Sequence, residues 1–440
     1  MLSIPSLTYL GEQDLIREWG NQVRLKTLRQ PIMRQLSTGL IATSLAMGIA
    51  SNASAQQSCP AEVLTAPIYW DKARLASVKS KLSVDGSEYR AAYNALITEA
   101  DEALGHAPFS VTQKEVAGPT GDKRDYVSLS RYYWPNPKKS DGRPYIRKDG
   151  HTNPEINGVN FDRRRSQNMT EDVKALSLAA YFTGNQAYAD KAKLLVKTWF
   201  LDEETGMNPH LKFAQNVPGA LEGREFGILD GRIYWDVIDG MMLLQSTGMT
   251  DRAFINEMRG WFGKYVTWLV TSDFGKKAKG KKNNHGVYYD AQVAHLLMFA
   301  GRCDLAEKII ESGFKRTKDQ IHKTGLMPHE KERTQSLFYH AFNLRAFLRL
   351  AYYGRKLDVD FYEKRKGKAG SVKDSVDFVA SYAGRIEDWP YEEINSNVKK
   401  ALWRMLSEAQ LVDESKTIEE ALGALNYIDA AALENLILAE

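Results

Sequence analysis

Two short polar clusters in the second half of the chain hold side chains that could carry out acid–base chemistry together. One contains Asn284 and His285, and the other contains Arg333, Tyr339 and His340. An arginine supplies a permanent cation with a planar fork that fits a carboxylate, and an amide donates hydrogen bonds to the same group. A phenol and an imidazole move protons. These residue types predict proton transfer beside an anionic substrate group.

Each cluster also has a purely structural interpretation. Asn284 could cap a helix, with His285 as an ordinary surface or core histidine, and Tyr339 could be a packing residue. If a helix starts at the first cluster, His285, Tyr289 and Gln292 lie on one face of it, because side chains three and four positions apart share a face.

A second helix is predicted to be capped by Thr334 and to run to about Tyr353. Six residues along a helix rotate a side chain well away from the starting face. Arg333 and Tyr339 therefore meet one ligand only if Arg333 precedes the helix proper. The spacing alone leaves both interpretations open.

Taken together, the two clusters resemble the signature of the alginate lyase family of helical-toroid polysaccharide lyases. The resemblance covers roughly residues 65–350, and its motifs fall in chain order. Its spacing from Arg333 to Tyr339 and its long loop at Trp134-Pro135 are closer to the branch containing glucuronan and poly-mannuronate lyases. The loop strings that carry the resemblance are Tyr132-Tyr133-Trp134-Pro135-Asn136-Pro137, Asp141-Gly142, Pro144-Tyr145, Asp149-Gly150, Asn153-Pro154-Glu155, Met207-Asn208-Pro209, Gln215-Asn216-Val217-Pro218-Gly219, Gly223-Arg224 and Asp230-Gly231-Arg232.

The resemblance implies Asn284, His285, Arg333 and Tyr339 as the catalytic set of a β-elimination on β-1,4-linked polyuronate, with no nucleotide, flavin, redox or metal cofactor. A uronate C5–H is a weak acid while its carboxylate stays charged, so Arg333 and Asn284 would neutralise that carboxylate. Tyr339 would remove H5 and then protonate O4. Since a phenol ordinarily titrates near ~10, nearby cations would have to make it acidic. His285 could be the base, tune the tyrosine or neutralise the carboxylate.

Stereochemistry limits which polymers a single tyrosine can cleave. In β-D-mannuronate and β-D-glucuronate, H5 and O4 lie on the same face of the ring, so Tyr339 could act as both base and acid. In L-guluronate H5 lies opposite O4, and a second group such as His285 would be needed. The chemistry suits mannuronate and glucuronate equally.

Further polar and aromatic residues are predicted to bind the polymer. Sugar rings stack on aromatic faces, and Arg and Lys meet successive carboxylates. The predicted substrate-binding residues are Tyr132, Tyr133, Trp134, Asn208, Lys212, Gln215, Arg224, Arg232, Tyr289 and Gln292. A structural role stays equally open for each of the loop residues. Asp230 with Arg232, for example, could form a buried ion pair.

The elements that must position these residues are predicted to be helices. Strand signals are almost absent, and long loops at 107–168 and 202–231 are expected to border a cleft. The sequence predicts an all-α fold, an (α/α) toroid or incomplete barrel of five to seven helical hairpins, in which Gly275–Lys282 is a mobile basic loop or a plain linker. Apolar periodicity marks helices near 85–104, 170–183, 188–199, 232–247, 252–271, 286–300, 304–316, 335–353, 373–383, 396–411 and 417–438.

The N-terminal region is typical of an exported protein. A basic start at Met33, an apolar run at 40–50 and the string Ala53-Ser54-Ala55 predict a signal peptide at about 33–55, cleaved near Ala55. Residues 1–55 are therefore excluded from the fold, and 56–440 are predicted to form a single domain in the periplasm or outside the cell. Cys59 and Cys303 could form a disulfide or remain separate thiols.

The formal net charge is +4, so acidic and basic residues are nearly balanced and the chain is not polybasic. This value argues neither for nor against an anionic ligand. The predicted partner is an anionic polysaccharide, with no nucleic acid and no membrane span, and the oligomeric state is left open.

Two other functions compete with the lyase. A helical-toroid glycoside hydrolase would need an acid pair, for which Asp230 and Asp236 are candidates, and a non-catalytic glycan-binding protein would use the same cleft.

Overall fold

Helices dominate residues 59–438, the part of the chain that the computed structural model describes, and the predicted signal peptide lies outside it. The residues from Cys59 onward form one compact unit. The helices are α1 (Ala61–Thr65), α2 (Lys72–Lys81), α3 (Arg90–Gly105), α4 (Arg163–Thr183), α5 (Gln186–Val196), α6 (Tyr234–Ser246), α7 (Arg252–Thr271), α8 (Asp273–Lys279), α9 (Asn284–Phe299), α10 (Cys303–Gln320), α11 (Pro328–Lys331), α12 (Ser336–Lys356), α13 (Val372–Ala380), α14 (Val398–Ala409), α15 (Lys416–Leu425) and α16 (Glu434–Ile437). Short segments of 3-10 or π helix lie at Val111–Gln113, Pro154–Asn157, Lys197–Leu201, Glu225–Ile233 and Ile386–Asp388.

Consecutive helices pack as antiparallel hairpins, most of them joined by short connections, while the longer segment 357–371 joins α12 to α13. The hairpins in the described residues are α4 with α5, α6 with α7, α9 with α10, α12 with α13, and α14 with α15. The turn between α4 and α5 shows why the chain reverses there. Gly184 takes the left-handed conformation (φ 75°) that ends α4, and the Asn185 side chain accepts the Ala187 N–H to start α5. The all-α prediction is confirmed.

The first helix of each hairpin, together with α3, lies on the inside of a ring. α3, α4, α6, α9, α12 and α14 contact one another in that order, and α16 packs against α2 and α3, so the two ends of the ring meet. α9 is buried at nearly every position. A helix that is apolar on all sides is stable only when other elements surround it. The arrangement is the predicted (α/α) toroid.

Two small sheets shape the long loops before α4 and α6. β1 (Val127–Leu129) pairs in parallel with β4 (Phe213–Asn216), and β2 (Tyr133–Trp134) pairs antiparallel with β3 (Ile146–Arg147). In the second sheet, Tyr133 lies opposite Arg147 and Trp134 opposite Ile146. The long loops are thus ordered, and they cover one end of the ring.

Three predicted elements were wrong in detail. The helix predicted near 170–183 begins earlier, at Arg163, because buried side chains at Arg163, Ser166 and Met169 extend α4 toward its N-terminus. The predicted helix at 417–438 is interrupted because Asn426 adopts a left-handed conformation (φ 46°) at the end of α15. Residues Gly275–Lys282 are not a loop throughout, since their first half belongs to α8.

A disulfide joins Cys59 to Cys303, 244 positions apart in sequence. It fastens the first described residue to the start of α10. Among residues 59–438, no helix has the length and apolar character required to cross a membrane.

Candidate active site

The inner helices present their N-terminal ends on one side of the ring. Because an outer antiparallel helix separates successive inner helices, α4, α6, α9 and α12 run in the same direction. The segments that lead into these helices carry the predicted catalytic and binding residues. Helix N-termini carry partial positive charge from unpaired N–H groups, so this end of the ring favours an anionic ligand before any side chain is considered.

Arg333 precedes α12. This is the condition under which Arg333 and Tyr339 were predicted to meet one ligand. The Arg333 guanidinium lies flat against the Tyr339 ring, 3.8 Å from the ring centre. Nε and Nη2 donate to the two carboxylate oxygens of Asp149 at 3.1 and 2.9 Å. Thr334 does not cap α12 with its side chain, because its hydroxyl also points to Asp149, at 3.4 Å. Asp149 thus binds the edge of the guanidinium formed by Nε and Nη2, and Nη1 makes no hydrogen bond to it.

Tyr339 lies at the end of the first turn of α12 and is 8% exposed. Its hydroxyl lies 2.8 Å from the hydroxyl of Tyr132, on the loop before β2. Burial raises the pKa of Tyr339 well above its ordinary value, the Tyr132 hydroxyl raises it further, and the Arg333 charge opposes both. The cations were expected to make this phenol acidic, but burial outweighs them. Tyr339 is protonated at neutral pH.

His285 lies at the start of α9 with its ring against Phe226, at 4.5 Å between ring centres. Its Nδ1 is 3.3 Å from the side-chain oxygen of Asn283. An amide oxygen only accepts, so Nδ1 carries the proton and Nε2 keeps its lone pair. Burial, and then the charges of Arg333 and Arg224, lower the pKa of His285 to about 3. The imidazole is neutral, and it serves as an acceptor, not as a cation.

Asn284 does not cap α9 with its side chain and is fully buried. Its backbone N–H donates to Glu330 Oε1 at 2.8 Å, and its Nδ2 lies 3.1 and 3.0 Å from the two Glu330 oxygens. The amide oxygen has no hydrogen-bonding partner among the described residues. Burial raises the pKa of Glu330 to about 7, against the hydrogen bonds from Asn284 and the charge of Arg333. In this arrangement, the amide donors expected to bind substrate point at Glu330.

A cationic wall continues the site from His285. Phe226 lies between the Arg224 guanidinium, 4.5 Å from its ring centre, and the Lys281 ammonium, 4.6 Å from it. Arg224 also lies 4.9 Å from the Tyr133 ring centre and donates to the Tyr133 hydroxyl at 3.2 Å. The negative face of an aromatic ring attracts a cation, and Lys281 is also paired with Glu225 at 2.7 Å. Tyr132, Tyr133 and Arg224 therefore belong to the site.

A second group of arginines lies around Asp230. Arg163 pairs with Asp230 at 3.6 Å, and Gln215 donates to the same carboxylate at 3.1 Å. The ion pair suggested between Asp230 and Arg232 is therefore replaced by one with Arg163, and Arg232 donates to the Leu229 carbonyl at 2.7 Å. Burial lowers the pKa of Arg232 to about 10. Gln215 and Arg232 support the loops beside the site.

The remaining predicted binding residues make structural contacts. Asn208 donates to two aspartates of the preceding loop, Asp122 at 3.0 Å and Asp125 at 2.7 Å. Trp134 donates to the His151 carbonyl at 2.9 Å and faces Lys148. Lys212 is exposed and lies 5.1 Å from the Phe213 ring centre.

Tyr289 and Gln292 lie on the same helix as His285, but their side chains are buried in the core. Tyr289 is 2% exposed and donates to the Leu269 carbonyl, and Gln292 is 3% exposed and donates to the Tyr288 carbonyl. His340, next to Tyr339, is fully buried, with Nδ1 on the Ser336 carbonyl and Nε2 accepting the Met327 N–H. These three residues lie in the core below the site.

Sequence reasoning missed residues that contact the predicted catalytic residues directly. Asp149 and Glu330 hold Arg333 and Asn284, and Phe226 packs on His285. Two features of the sequence could have drawn attention to these residues. Asp149 lies in the loop motif Asp149-Gly150, and Glu330 lies three residues before Arg333. Neither position identified a partner, because both contacts join distant parts of the chain. In the described residues, no group of three or more His, Cys, Asp or Glu side chains could hold a metal ion.

Comparison with known proteins extends over this unit. The alginate lyase family model matches residues 110–389. The crystal structure of an alginate lyase from Bacteroides ovatus is 34% identical, with a TM-score of 0.80, covering 86% of this chain and 99% of that chain. Alginate lyase A1-III from Sphingomonas species A1 is 13% identical, with a TM-score of 0.55, covering 86% and 97%, which is a likeness of fold alone. No curated protein sequence matches the chain.

Proposed function

Because the chain belongs to the alginate lyase family and is a polysaccharide lyase, we propose that it cleaves a β-1,4-linked polyuronate, glucuronan or mannuronate-rich alginate, by β-elimination. Each cleavage leaves an unsaturated uronate end. The observation that carries the proposal is the stack of Arg333 on Tyr339, since it puts a carboxylate-binding cation 3.8 Å from the centre of the proton-transferring ring.

Arg333 would neutralise the carboxylate of the sugar that loses its C5 proton. Its Nη1 is the nitrogen that Asp149 leaves unused, so a uronate can approach without breaking the ion pair. The charge that develops on the carboxylate during proton removal is stabilised in a site that excludes most water, where such interactions are strong.

Tyr339 would transfer both protons. Its phenolate takes H5, the C4–O4 bond breaks as the C4=C5 double bond forms, and the same hydroxyl then protonates the departing O4. The tyrosine thus begins and ends the cycle as the phenolate, so no other reagent is consumed. The raised pKa makes the phenol a poor base at neutral pH. His285, with a pKa of about 3, is too weak a base to hold the phenolic proton, so the phenolate must form by loss of that proton to solvent before H5 is removed.

The substrate choice follows from this single-tyrosine chemistry. Syn elimination by one group fits mannuronate and glucuronate, in which H5 and O4 share a face. Tyr132, Tyr133 and Arg224 would hold neighbouring sugars by ring stacking and by contact with their carboxylates.

Secretion is part of the proposal. The disulfide between Cys59 and Cys303 is typical of a protein that folds in an oxidising compartment. This agrees with the predicted signal peptide at 33–55, and we place the enzyme in the periplasm or outside the cell.

The hydrolase alternative receives less support. Asp230 is 6% exposed and occupied by Arg163, Gln215 and Ser128, and Asp236 lies 4.0 Å from Arg349. Neither carboxylate is free to act on a glycosidic bond.

Incubation of the purified protein with poly-mannuronate, poly-guluronate and glucuronan tests the proposal. New ultraviolet absorbance from the conjugated double bond, matched by new reducing ends on mannuronate or glucuronan, is the expected result. Reducing ends without absorbance would identify a hydrolase, and binding without either would identify a glycan-binding protein.

A further inference from the structure

We propose that Glu330 is a positioning residue that decides which end of the Asn284 amide is available to the substrate. Protonated Glu330 leaves the amide nitrogen free to bind the uronate carboxylate, and ionised Glu330 takes the nitrogen for itself. The inference rests on the proposed function, because it assigns Asn284 to that carboxylate.

Glu330 lies on the short helix α11 and is 1% exposed. Its Oε1 accepts the Asn284 backbone N–H at 2.8 Å, and the Asn284 Nδ2 lies 3.0 Å from Oε2. The Glu330 carboxyl group thus holds both the backbone at the start of α9 and the side-chain amide of Asn284. The neighbouring Asn283 has a different contact, since its side-chain oxygen lies beside Nδ1 of His285.

An ionised carboxylate only accepts hydrogen bonds, so it requires the NH₂ end of the amide. The other end is then the amide oxygen, which is buried and has no hydrogen-bonding partner among residues 59–438. An oxygen acceptor repels a carboxylate. With Glu330 ionised, Asn284 therefore cannot contribute to binding the uronate.

A half-turn of the amide exchanges its oxygen and nitrogen without moving the backbone. The amide oxygen would then face Glu330, which must donate a proton from Oε2 while Oε1 continues to accept the backbone N–H. Both hydrogens of Nδ2 become available to a carboxylate. One proton on Glu330 thus converts the outer end of Asn284 from an acceptor to a donor.

The surroundings place this proton near the neutral range. Burial favours the protonated form, while the two hydrogen bonds from Asn284 and the positive charge of Arg333 favour the ionised form, and together they give a pKa of about 7. Arg333 is the charged group that acts on Glu330 from the segment before α12, and His285 on α9 is neutral. The KM for the polymer is therefore expected to rise above about pH 7, by up to about tenfold per pH unit.

The Glu330→Gln variant tests the proposal, because a glutamine permanently imitates the protonated acid. Its NH₂ donates to the Asn284 oxygen and its oxygen accepts the backbone N–H. We expect a KM near that of the wild type at low pH and no rise of KM above about pH 7, with the pH dependence of kcat unchanged. The matched control is Glu332→Gln, an exposed neighbour, which should keep the wild-type KM profile.

A second measurement does not depend on polysaccharide cleavage. In the free protein, the side-chain NH₂ resonances of Asn284, assigned by their loss in Asn284→Asp, should titrate near pH 7 in the wild type and stay constant in Glu330→Gln. Titration without turnover on any polyuronate would retain the positioning role and contradict the proposed function. A Glu330→Gln variant with the wild-type KM profile, or an Asn284 amide that does not titrate, would overturn the inference.

Discussion

At the residue scale, burial controls the protonation of the site. His285 is neutral because its pKa falls to about 3, and Tyr339 is protonated because its pKa rises. The fixed positive charge comes from Arg333 and Arg224, which stay ionised whatever the burial. In the proposed reaction these tasks are separate: arginines bind the anion, and Tyr339 transfers the protons.

Replacement of Arg333 by alanine should damage both binding and turnover. The uronate carboxylate is charged in the ground state and more strongly so during proton removal, so KM should rise and kcat should fall. A charge-assisted pair is worth about 2–5 kcal/mol when one partner is removed, which corresponds to a loss of kcat/KM of about 30-fold or more. Steady-state kinetics on poly-mannuronate or glucuronan measures both constants.

The Arg333→Lys variant is the matched control, because it keeps the charge and removes the planar fork. It should recover part of KM but little of kcat, since a lysine cannot both pair with Asp149 and lie flat on Tyr339. A wild-type KM in Arg333→Ala would contradict the role given to this residue.

At the element scale, the site depends on how α9 begins. Arg316 on α10 donates to the carbonyls of Lys279 and Lys281, at 2.8 and 2.9 Å, and pairs with the buried Asp290. These contacts hold the segment before Asn284 and His285. Gly286 lies against the same contacts, and a Cβ there would come 2.2 Å from the Lys281 oxygen and 2.3 Å from Arg316 Nη1.

The Gly286→Ala variant should therefore displace the start of α9. We expect a loss of about 1–3 kcal/mol in the free energy of unfolding, typical of overpacking, together with reduced kcat. Urea unfolding and kinetics provide the two readings.

Gly260→Ala, in α7, is the control, because a Cβ at that position meets nothing within 4 Å. It should stabilise the protein by about 0.5–1 kcal/mol and leave kcat unchanged. If both alanine variants behave alike, the contacts of Gly286 do not position the site.

The helices could be predicted because their information is local. Apolar spacing and caps marked most of them to within a few residues, with exceptions where tertiary contacts decide, as at Arg163 and Asn426. The contacts that build the site are not local. Asp149 meets Arg333 across 184 positions, Tyr132 meets Tyr339 across 207, and Asn284 meets Glu330 across 46. No periodicity in the sequence encodes such pairs, so the side chains were predicted but their partners were not.

At the scale of the whole molecule, the ring brings four helix starts to one end and places the disulfide at the other. Cys303 begins α10, just after α9 ends, and α9 has 16 residues. That length separates the disulfide from His285 by about 24 Å. Stability and chemistry are therefore expected to respond separately to changes at the two ends.

Replacing Cys59 and Cys303 together by serine should lower the free energy of unfolding by about 2–5 kcal/mol, because the crosslink restricts the unfolded chain. The KM for the polymer should stay at its wild-type value at temperatures where the variant is folded. Denaturant unfolding and kinetics measure the two effects. An unchanged unfolding free energy, or a raised KM in the folded variant, would show that the two ends are not separate.

The proposed β-elimination depends on Tyr339, and the rate at which Tyr339→Phe forms the unsaturated product is its most direct test. The substitution removes one hydroxyl and leaves the Arg333 stack in place, so folding and KM should largely persist. The kcat should fall by at least the factor of about 10²–10⁴ that general acid–base catalysis supplies. Tyr265→Phe is the control, since it removes a buried hydroxyl that has no hydrogen-bonding partner among the described residues. A Tyr339→Phe enzyme that keeps near-native turnover would contradict the assignment of this tyrosine as the proton-transferring group.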